Sequence, residues 1–301
     1  MPPVSVIIPT YNRSWGLIRA VKGVLNQSFE NFELVIVDDY SPDNTQEVVQ
    51  GFDDSRIRYF RQPQNVGLAE NWGTGLKLAQ GEFVTFLMDD DFYKADFLKN
   101  RIQHLDHHED LSVVFSSYDR CDLNENIISQ NIPPLEDGGV LAAPEMLEAM
   151  LNQYWFAGAS MYRKSAVLPV WDLASRDKYV VDYSLAIYLA LAGSRGLYIN
   201  TCDFLVSCHE GQIGQANLGE MLQQTQQTLA RIITEPQAAS HVGLLQRHLS
   251  NLKVIQARYL DLAVDKNLQQ ARHLILDAVK VDLSNVWAWK QLSKLALLGK
   301  L

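Results

Sequence analysis

The sequence has few cysteines and no long apolar segment. Its 301 residues contain three cysteines, Cys121, Cys202 and Cys208. This odd, widely spaced set excludes a disulfide framework and favours a reducing compartment. No apolar run approaches the ~20 residues of a membrane-spanning helix, and the N-terminus lacks the basic start and apolar core of a secretory signal. We therefore expect a cytoplasmic protein without a transmembrane segment, with peripheral contact at the inner face of a membrane left open.

Basic residues are fewer than acidic residues. Lysine and arginine number 26 against 35 aspartates and glutamates, so the formal net charge is −9. Because a nucleic-acid surface demands basic side chains, this balance argues against a nucleic-acid partner. A nucleotide remains compatible with it if a metal ion neutralises the phosphates locally. The hydrophobic share of 47% can build a packed core, in one large domain or in two.

Strand and helix patterns alternate from the first residues. Apolar, β-branched runs predict four strands, at residues 4–9, 32–37, 57–60 and 83–87. Helical periodicity predicts three helices between them, at residues 14–26, 45–52 and 68–80. Ser14 is the expected N-cap of the first helix. This alternation predicts a parallel sheet with helices on both faces.

The second half of the chain has a different character. Residues 120–145 are expected to be irregular, because two pairs of breakers interrupt them, Pro133-Pro134 and Gly138-Gly139. A strand is predicted near 196–199. From residue 218 onwards, glutamine, leucine and alanine at helical spacing predict an all-helical region.

Two predicted strands end in adjacent carboxylates. Asp38 and Asp39 follow one, and Asp89, Asp90 and Asp91 follow another. The carboxyl ends of parallel strands share one edge, where ligands of open α/β sheets bind. Three adjacent acids repel each other unless a cation is present, and carboxylate oxygens suit Mn²⁺ or Mg²⁺. The sequence therefore predicts a divalent metal site that neutralises phosphates.

Four motifs in this order resemble family 2 glycosyltransferases. They are VSVIIPTYNR at 4–13, VIVDDYS at 35–41, NVGLA at 65–69 with Asn71, and GEFVTFL at 81–87. The last of these leads into Asp89, Asp90 and Asp91, the acid cluster. The resemblance covers residues 4–210 and implies a GT-A fold, a Rossmann-like, mostly parallel sheet flanked by helices. We expect a catalytic domain at 1–217, with a nucleotide-sugar half at 1–118 and an acceptor half at 119–217, and a helical extension at 218–301.

The resemblance also implies an activity. It is the metal-dependent, inverting transfer of a sugar from a nucleotide-diphosphate sugar to a hydroxyl acceptor, such as a glycan, a lipid-linked sugar or a protein, in cell wall or polysaccharide biosynthesis. One alternative is a non-catalytic nucleotide-sugar-binding or scaffolding protein on the same fold, which interacts through its helical tail. Another is a phosphatase-type enzyme with Asp89 and Asp91 as a nucleophile pair, although this leaves the Asp38-Asp39 motif unexplained.

The resemblance assigns most of the donor pocket. The residues expected around the nucleotide sugar are Pro9, Tyr11, Asp38, Asp39, Asn65, Gly67 and Asp89. Asp39 would read the nucleoside and Asp38 would be structural, although both could instead cap the following turn and helix. Asp89 would contact the ribose. Arg13 would face the diphosphate or lie at the surface.

Metal ligands and a general base follow from the same resemblance. Asp90, Asp91 and His209 are the candidate metal ligands, with Met88 where the family often has an earlier acid. His209 could equally be a loop histidine. Asp182 is the candidate base that takes the acceptor proton, and it could also serve as a helix N-cap.

The segment at 155–163, WFAGASMYR, resembles the acceptor side of the family. Its aromatic side chains could stack on sugars or belong to the core.

Overall fold

The computed structural model describes residues 1–132, 139–152, 157–177, 179–209, 218–262 and 268–297. The chain divides into two compact units, Met1–His209 and Glu210–Leu301. The first contains all of the strands that the structure describes, and the second is helical over its described residues. No helix in the described ranges has both the length and the apolar character needed to cross a bilayer.

Twelve strands are described in the first unit. In chain order they are β1 (Val4–Thr10), β2 (Phe32–Asp38), β3 (Ile57–Arg61), β4 (Phe83–Phe86), β5 (Phe92–Tyr93), β6 (Leu111–Ser116), β7 (Tyr118–Cys121), β8 (Ile127–Ile132), β9 (Val140–Leu141), β10 (Ser160–Arg163), β11 (Arg195–Ile199) and β12 (Phe204–Ser207). The large sheet has the order β3-β2-β1-β4-β10-β6-β11-β9. A smaller sheet has the order β5-β12-β7-β8.

The amino-terminal half of the large sheet is parallel. Strand β1 pairs in parallel with both β2 and β4, and β2 pairs in parallel with β3. Both β1 and β2 are buried along their whole length, as continuous Val/Ile/Leu runs in a parallel sheet predict. Strand β10 then runs antiparallel between β4 and β6. The predicted α/β class with a mostly parallel sheet is confirmed.

Helices flank this sheet. In chain order they are α1 (Ser14–Leu25), α2 (Thr45–Gln50), α3 (Leu68–Leu78), α4 (Phe97–His107), α5 (Glu145–Leu151), α6 (Lys164–Ala174) and α7 (Val181–Leu191). The apolar face of α1, with Leu17, Val21 and Val24, belongs to the same buried cluster as residues of β1 and β2. Ser14 is the first helical residue, and the N-cap position belongs to Arg13. The N-cap prediction for Ser14 is therefore wrong by one residue.

The expectation of an irregular segment at 120–145 is wrong. Strands β7 and β8 form an antiparallel hairpin there, and β9 adds an edge to the large sheet. The pairing of β7 with β8 shifts register twice, so the alternation of polar and apolar residues that would mark these strands is lost. Three of the breakers, Pro133, Pro134 and Gly138, lie outside the described residues.

The second unit confirms the predicted helical C-terminal region. Its helices are α8 (Leu218–Ile232), α9 (Val242–Leu262), α10 (Leu268–Val281) and α11 (Val286–Leu297), with a 3₁₀ helix at Pro236–His241. Small residues allow close packing: Ala257 and Ala271 bury together with Ile275, while Ala278 and Ala288 bury with Val254. The division of function between residues 1–217 and 218–301 stays a prediction.

A fully buried arginine connects the two sheets. Arg101 of α4 donates hydrogen bonds to the carbonyl of Ala159, just before β10, and to Ser116 Oγ at the end of β6. Its Nη2 also lies 2.9 Å from Asp203 Oδ1, just before β12. Because β12 leads directly into Ser207 and His209, this network fixes one wall of the site described next.

Candidate active site

The two groups of acids meet at the carboxyl edge of the sheet. The register pairs Thr10 with Asp38, and β4 runs beside β1 towards the same edge. The Thr10 carbonyl accepts the Asp39 N–H at 2.9 Å, and Thr10 Oγ1 donates to Asp89 Oδ2 at 2.8 Å. Thr10 therefore joins two acidic segments that lie about fifty residues apart in the sequence, as parallel topology requires.

The Asp39 carboxylate holds the loop before α3. Its Oδ1 accepts the Val66 N–H at 2.6 Å, and its Oδ2 accepts the Gly67 N–H at 2.9 Å. Gly67 has φ +89°, a conformation that favours glycine. Asn65 Nδ2 donates to the Asp39 carbonyl at 3.3 Å. Burial raises the pKa of Asp39 and so does the neighbouring Asp38, while the two N–H groups lower it.

Asp38 is fully buried, and each of its carboxylate oxygens accepts a hydrogen bond. Its Oδ1 accepts the Ser41 N–H at 2.8 Å, and its Oδ2 accepts the Tyr59 hydroxyl at 2.6 Å. Arg61 Nε lies 3.4 Å from the same Oδ2. These contacts give Asp38 a positioning function for the turn after β2. Tyr59 and Arg61 were not singled out by sequence, because their relevance depends on the pairing of β3 with β2.

Arg13 bridges two acids of the cluster. Its Nη1 lies 2.8 Å from Asp89 Oδ1 and 2.8 Å from Asp90 Oδ2. Burial lowers the pKa of Arg13, but the two carboxylates raise it by more, so the guanidinium stays charged. Burial raises the pKa of Asp89 to about 6 against the opposing charge of Arg13, and Asp90 adds to the rise. Arg13 thus compensates part of the negative charge that three adjacent acids create.

Asp90 and His209 face each other across the site. His209 Nε2 lies 3.0 Å from Asp90 Oδ2, and both side chains are about 8% exposed. The edge of the Trp15 ring meets the imidazole, with ring centroids 5.1 Å apart at 87°. A carboxylate oxygen and an imidazole nitrogen that converge in this way form a donor pair suited to a divalent transition metal. No group of three such ligands occurs in the described ranges.

Asp91 points to the second sheet. Its Oδ1 accepts the Ser207 N–H at 2.9 Å, and burial raises its pKa well above the ordinary value. This contact ties the acid cluster to the end of β12. Of the three predicted metal ligands, Asp90 and His209 are brought together directly, and Asp91 is engaged by the backbone.

Arg19 is a site residue that sequence reasoning missed. Its Nη2 donates to the Asp90 carbonyl at 2.5 Å and to Ser207 Oγ, while its Nη1 is buried without a hydrogen-bond partner in the described part of the chain. Arg19 follows Trp15 by four residues and so shares its helix face, but only the structure connects Trp15 to the site, through its ring contact with His209. No local signal identifies Ser207, whose role depends on the second sheet.

Gly16 allows α1 to approach the acid cluster. A Cβ atom at this position would lie 2.6 Å from the Asp89 carbonyl oxygen and 3.2 Å from the Cα of Asp90. Only glycine therefore permits the helix to pack directly on the backbone of the acid-bearing loop.

The remaining predicted donor residues lie on the same edge. Pro9 is buried in β1 opposite Val37. The Tyr11 side chain is 49% exposed, and its N–H lies 3.4 Å from Asp89 Oδ2. Asn12 adopts φ 54°, and its N–H donates to Ser41 Oγ at 2.9 Å, which links the loop after β1 to the turn after β2.

Asp182 lies in the first turn of α7. Its Oδ1 accepts the Tyr183 N–H at 2.8 Å, and burial raises the pKa of the carboxyl group. The structure describes no hydrogen bond or ion pair between Asp182 and the acid cluster. In the predicted acceptor segment, Tyr162 is a core residue against Phe86. Two aromatic residues of that segment, Trp155 and Phe156, lie outside the described residues.

Comparison with known proteins identifies relatives of this chain. The chain is 49% identical over 106 residues to a GalNAc(5)-diNAcBac-PP-undecaprenol beta-1,3-glucosyltransferase of Campylobacter jejuni, covering 34% of each protein. It is 34% identical over 131 residues to the UDP-Glc:alpha-D-GlcNAc-diphosphoundecaprenol beta-1,3-glucosyltransferase WfgD of Escherichia coli, covering 44% of this chain and 51% of the relative. The chain thus spans about half or less of these curated relatives.

The fold has a solved counterpart. The structure superimposes on S. aureus TarS 1-349 in complex with UDP-GlcNAc with a TM-score of 0.71 at 18% identity, covering 92% of this chain and 81% of that one. The match shows the GT-A type of fold that the motifs implied. The family model for glycosyl transferase family 2 matches residues 5–167, more than half of the chain. The protein therefore belongs to glycosyltransferase family 2.

Proposed function

We propose that this protein is an inverting, divalent-cation-dependent glycosyltransferase that uses a UDP-sugar and a lipid-diphosphate-linked sugar acceptor. The observation that carries the proposal is the meeting of Asp90, His209 and Arg13 at the carboxyl edge of β4, joined through Thr10 to the Asp38-Asp39 segment. Paired acidic edges of this kind suit a nucleoside at one end and a diphosphate at the other.

The nucleoside end is the Asp39 side of the edge. Each Asp39 oxygen accepts one backbone N–H and retains a lone pair that can accept from a base N–H. Because the same carboxylate orders the loop at Val66 and Gly67, base recognition and loop position depend on one group. Pro9 and Tyr11 would line this end, and Asn65 would shape the loop above it.

The cation belongs at the diphosphate end. Asp90 and His209 would hold it with diphosphate oxygens, since Mg²⁺ and Mn²⁺ commonly use one or two protein ligands and substrate phosphates. When bound, the cation supplies a Lewis acid that neutralises charge developing on the leaving diphosphate. Arg13 and Arg19 provide fixed positive charge beside the same acids. Asp91 would support the site through Ser207, and Asp89 would face the ribose.

Asp182 is the proposed general base. Its carboxylate would accept the proton of the acceptor hydroxyl while that oxygen bonds to the anomeric carbon and the bond from carbon to the diphosphate oxygen breaks. Attack from the opposite side converts an α-linked donor into a β-linked product and releases UDP. Burial favours this role, because a pKa raised above that of ordinary aspartate gives a stronger base.

The relatives narrow the substrates. The two curated relatives described above are both named as beta-1,3-glucosyltransferases, with acceptors linked to undecaprenol through a diphosphate. We therefore propose UDP-glucose as the first donor to test and a diphosphoundecaprenol-linked sugar as the acceptor class. The alternative scaffolding function is disfavoured, because a scaffold has no need of aspartates at two strand ends or of a histidine in contact with Asp90.

The test combines binding with turnover. Thermal shifts with UDP, GDP and their sugars, with and without Mn²⁺, should show stabilisation by one nucleotide that depends on the cation. Asp90→Ala should abolish the cation-dependent part, and Asp106→Ala, an exposed acid of α4, should not. Unchanged cation-dependent binding in Asp90→Ala would contradict the site assignment. Absence of sugar transfer from every nucleotide sugar to lipid-linked acceptors would contradict the function.

A further inference from the structure

The outer face of α11 carries an exposed surface that the proposed reaction does not use. Val286, Trp289, Lys290, Ser293 and Lys294 follow the spacing i, i+3, i+4, i+7 and i+8, so they form one stripe of the helix. Val286 is 64% exposed and Trp289 is 45% exposed, with Leu283 at 73% immediately before the helix. Trp287, Ala288 and Leu292 pack inwards instead. The outer stripe is therefore an unpartnered face that mixes apolar and basic side chains.

A basic cleft accompanies this stripe. Arg258 of α9 joins Trp289, Lys290 and Lys294 around a cleft of about 620 Å³. The chain from 284 to 301 contains three lysines and no acid. This local excess of positive charge stands out in a protein whose net charge is −9.

Acid partners distinguish these cations from others in the same unit. In the described part of the helical unit, four cations lie within 4.0 Å of a carboxylate: Arg231, Arg247, Lys253 and Lys280. No carboxylate whose side chain the structure describes lies that close to Arg258, Lys290 or Lys294. These three cations therefore lie beside the exposed apolar side chains of α11. An anionic partner would neutralise their charge.

We infer that the outer face of α11, with Arg258, docks on an anionic phospholipid bilayer. Lysines attract an anionic surface, tryptophan favours the interface between headgroups and acyl chains, and aliphatic side chains gain by leaving water. A nucleic acid would satisfy the cations but leave Leu283 and Val286 in water. Pairing of this face with a second copy would bring like charges together. Of these three partners, only the bilayer satisfies both the cations and the apolar side chains.

The inference rests on the proposed function in one respect, since a diphosphate-linked lipid acceptor resides in a membrane. Docking would keep the protein in the layer that holds this acceptor. Binding to the bilayer would then precede transfer and would not require a spanning helix.

Vesicle co-sedimentation of the full chain tests the inference. We expect binding to vesicles of phosphatidylcholine mixed with phosphatidylglycerol, weak binding to phosphatidylcholine alone, and loss of binding at high salt. Lys290→Gln with Lys294→Gln should lower the partition coefficient by about 25-fold, at about fivefold for each lysine. Trp289→Ala should weaken binding to the mixed vesicles with less change in salt dependence.

A matched control removes the same charge elsewhere. Arg247→Gln with Lys280→Gln changes two cations of the helical unit that already pair with Asp282 and Asp277, so vesicle binding should change little. Equal losses in the two double variants, equal binding to both kinds of vesicle, or a preference for single-stranded DNA over vesicles would each overturn the inference.

UDP binding by the same samples separates the two proposals. Nucleotide binding without vesicle binding would contradict only the proposal that α11 docks on a bilayer. Vesicle binding by the outer face of α11 without nucleotide binding or transfer would contradict the proposed reaction and still support the docking surface.

Discussion

Replacing the buried Arg101 by methionine tests the network that joins the two sheets. The guanidinium is inaccessible to solvent and bonds to Ala159, Ser116 and Phe97. Its ion pair with Asp203 spans 2.9 Å, and Asp203 is itself 6% exposed. Methionine keeps much of the hydrophobic stem but removes every hydrogen bond, the charge and the stacking of the guanidinium on the Phe97 ring. The variant therefore isolates the polar contribution of the network.

The expected loss of stability is large. Removing one partner of a buried ion pair costs about 3–5 kcal/mol, because the remaining charge has no compensation. Asn100 still donates to Asp203 Oδ2 at 2.9 Å, which offsets part of that cost. We expect the free energy of unfolding to fall by about 3–4 kcal/mol, a substantial fraction of the 5–15 kcal/mol of a typical domain.

Urea unfolding followed by near-ultraviolet circular dichroism measures this change. The exposed pair of Arg195 and Asp110 provides the control, and Arg195→Met should cost less than about 1 kcal/mol. Asp203→Asn in the Arg101→Met background should recover stability, because it removes the unpaired charge. A loss below about 1 kcal/mol in Arg101→Met, or no recovery in the double variant, would refute the assignment of this network.

The same pair predicts a dependence on pH. Burial raises the pKa of Asp203, but Arg101 and Asn100 lower it by more, so the net pKa is below its ordinary value. Asp203 therefore binds fewer protons in the folded state than in the unfolded state. Its contribution to stability is present above the ordinary aspartate pKa and is lost as the pH falls through the lowered value. Asp203→Asn should flatten this acid limb of the stability curve.

Three other changes address the active site. Asp182→Asn should retain UDP binding and abolish transfer, and transfer that survives the change would place the base elsewhere. In the unaltered protein, transfer should fall as the pH decreases through a pKa above that of ordinary aspartate. Gly16→Ala should cost about 1–3 kcal/mol and weaken UDP binding, since its Cβ would meet the Asp89 carbonyl, whereas Gly243→Ala in open space should not. Arg19→Met should raise the Kd for UDP through loss of its bonds to Asp90 and Ser207, and Lys22→Met, an exposed neighbour on α1, should leave it unchanged.

The amino-terminal half of the fold could be predicted because its signals are local. Strand β1 is one continuous buried run, and the helix after it buries Leu17, Val21 and Val24 at helical spacing. In the second half, β8 begins in exposed residues and β12 has only four residues, so neither gives a clear period. Their existence depends on partners that are distant in the sequence.

The sequence by itself determined the α/β alternation, the family and the acid-bearing strand ends, because each is written in neighbouring residues. Tertiary structure decided which acids act together. It brought His209 to Asp90 from 119 positions away, turned Asp91 towards Ser207, and placed Arg19 against the backbone of the acid loop. These contacts could not be inferred locally, because they arise where the end of β12 meets the loop between β4 and β5. The physical reason is that strand order and packing, and not sequence spacing, set the distances between side chains.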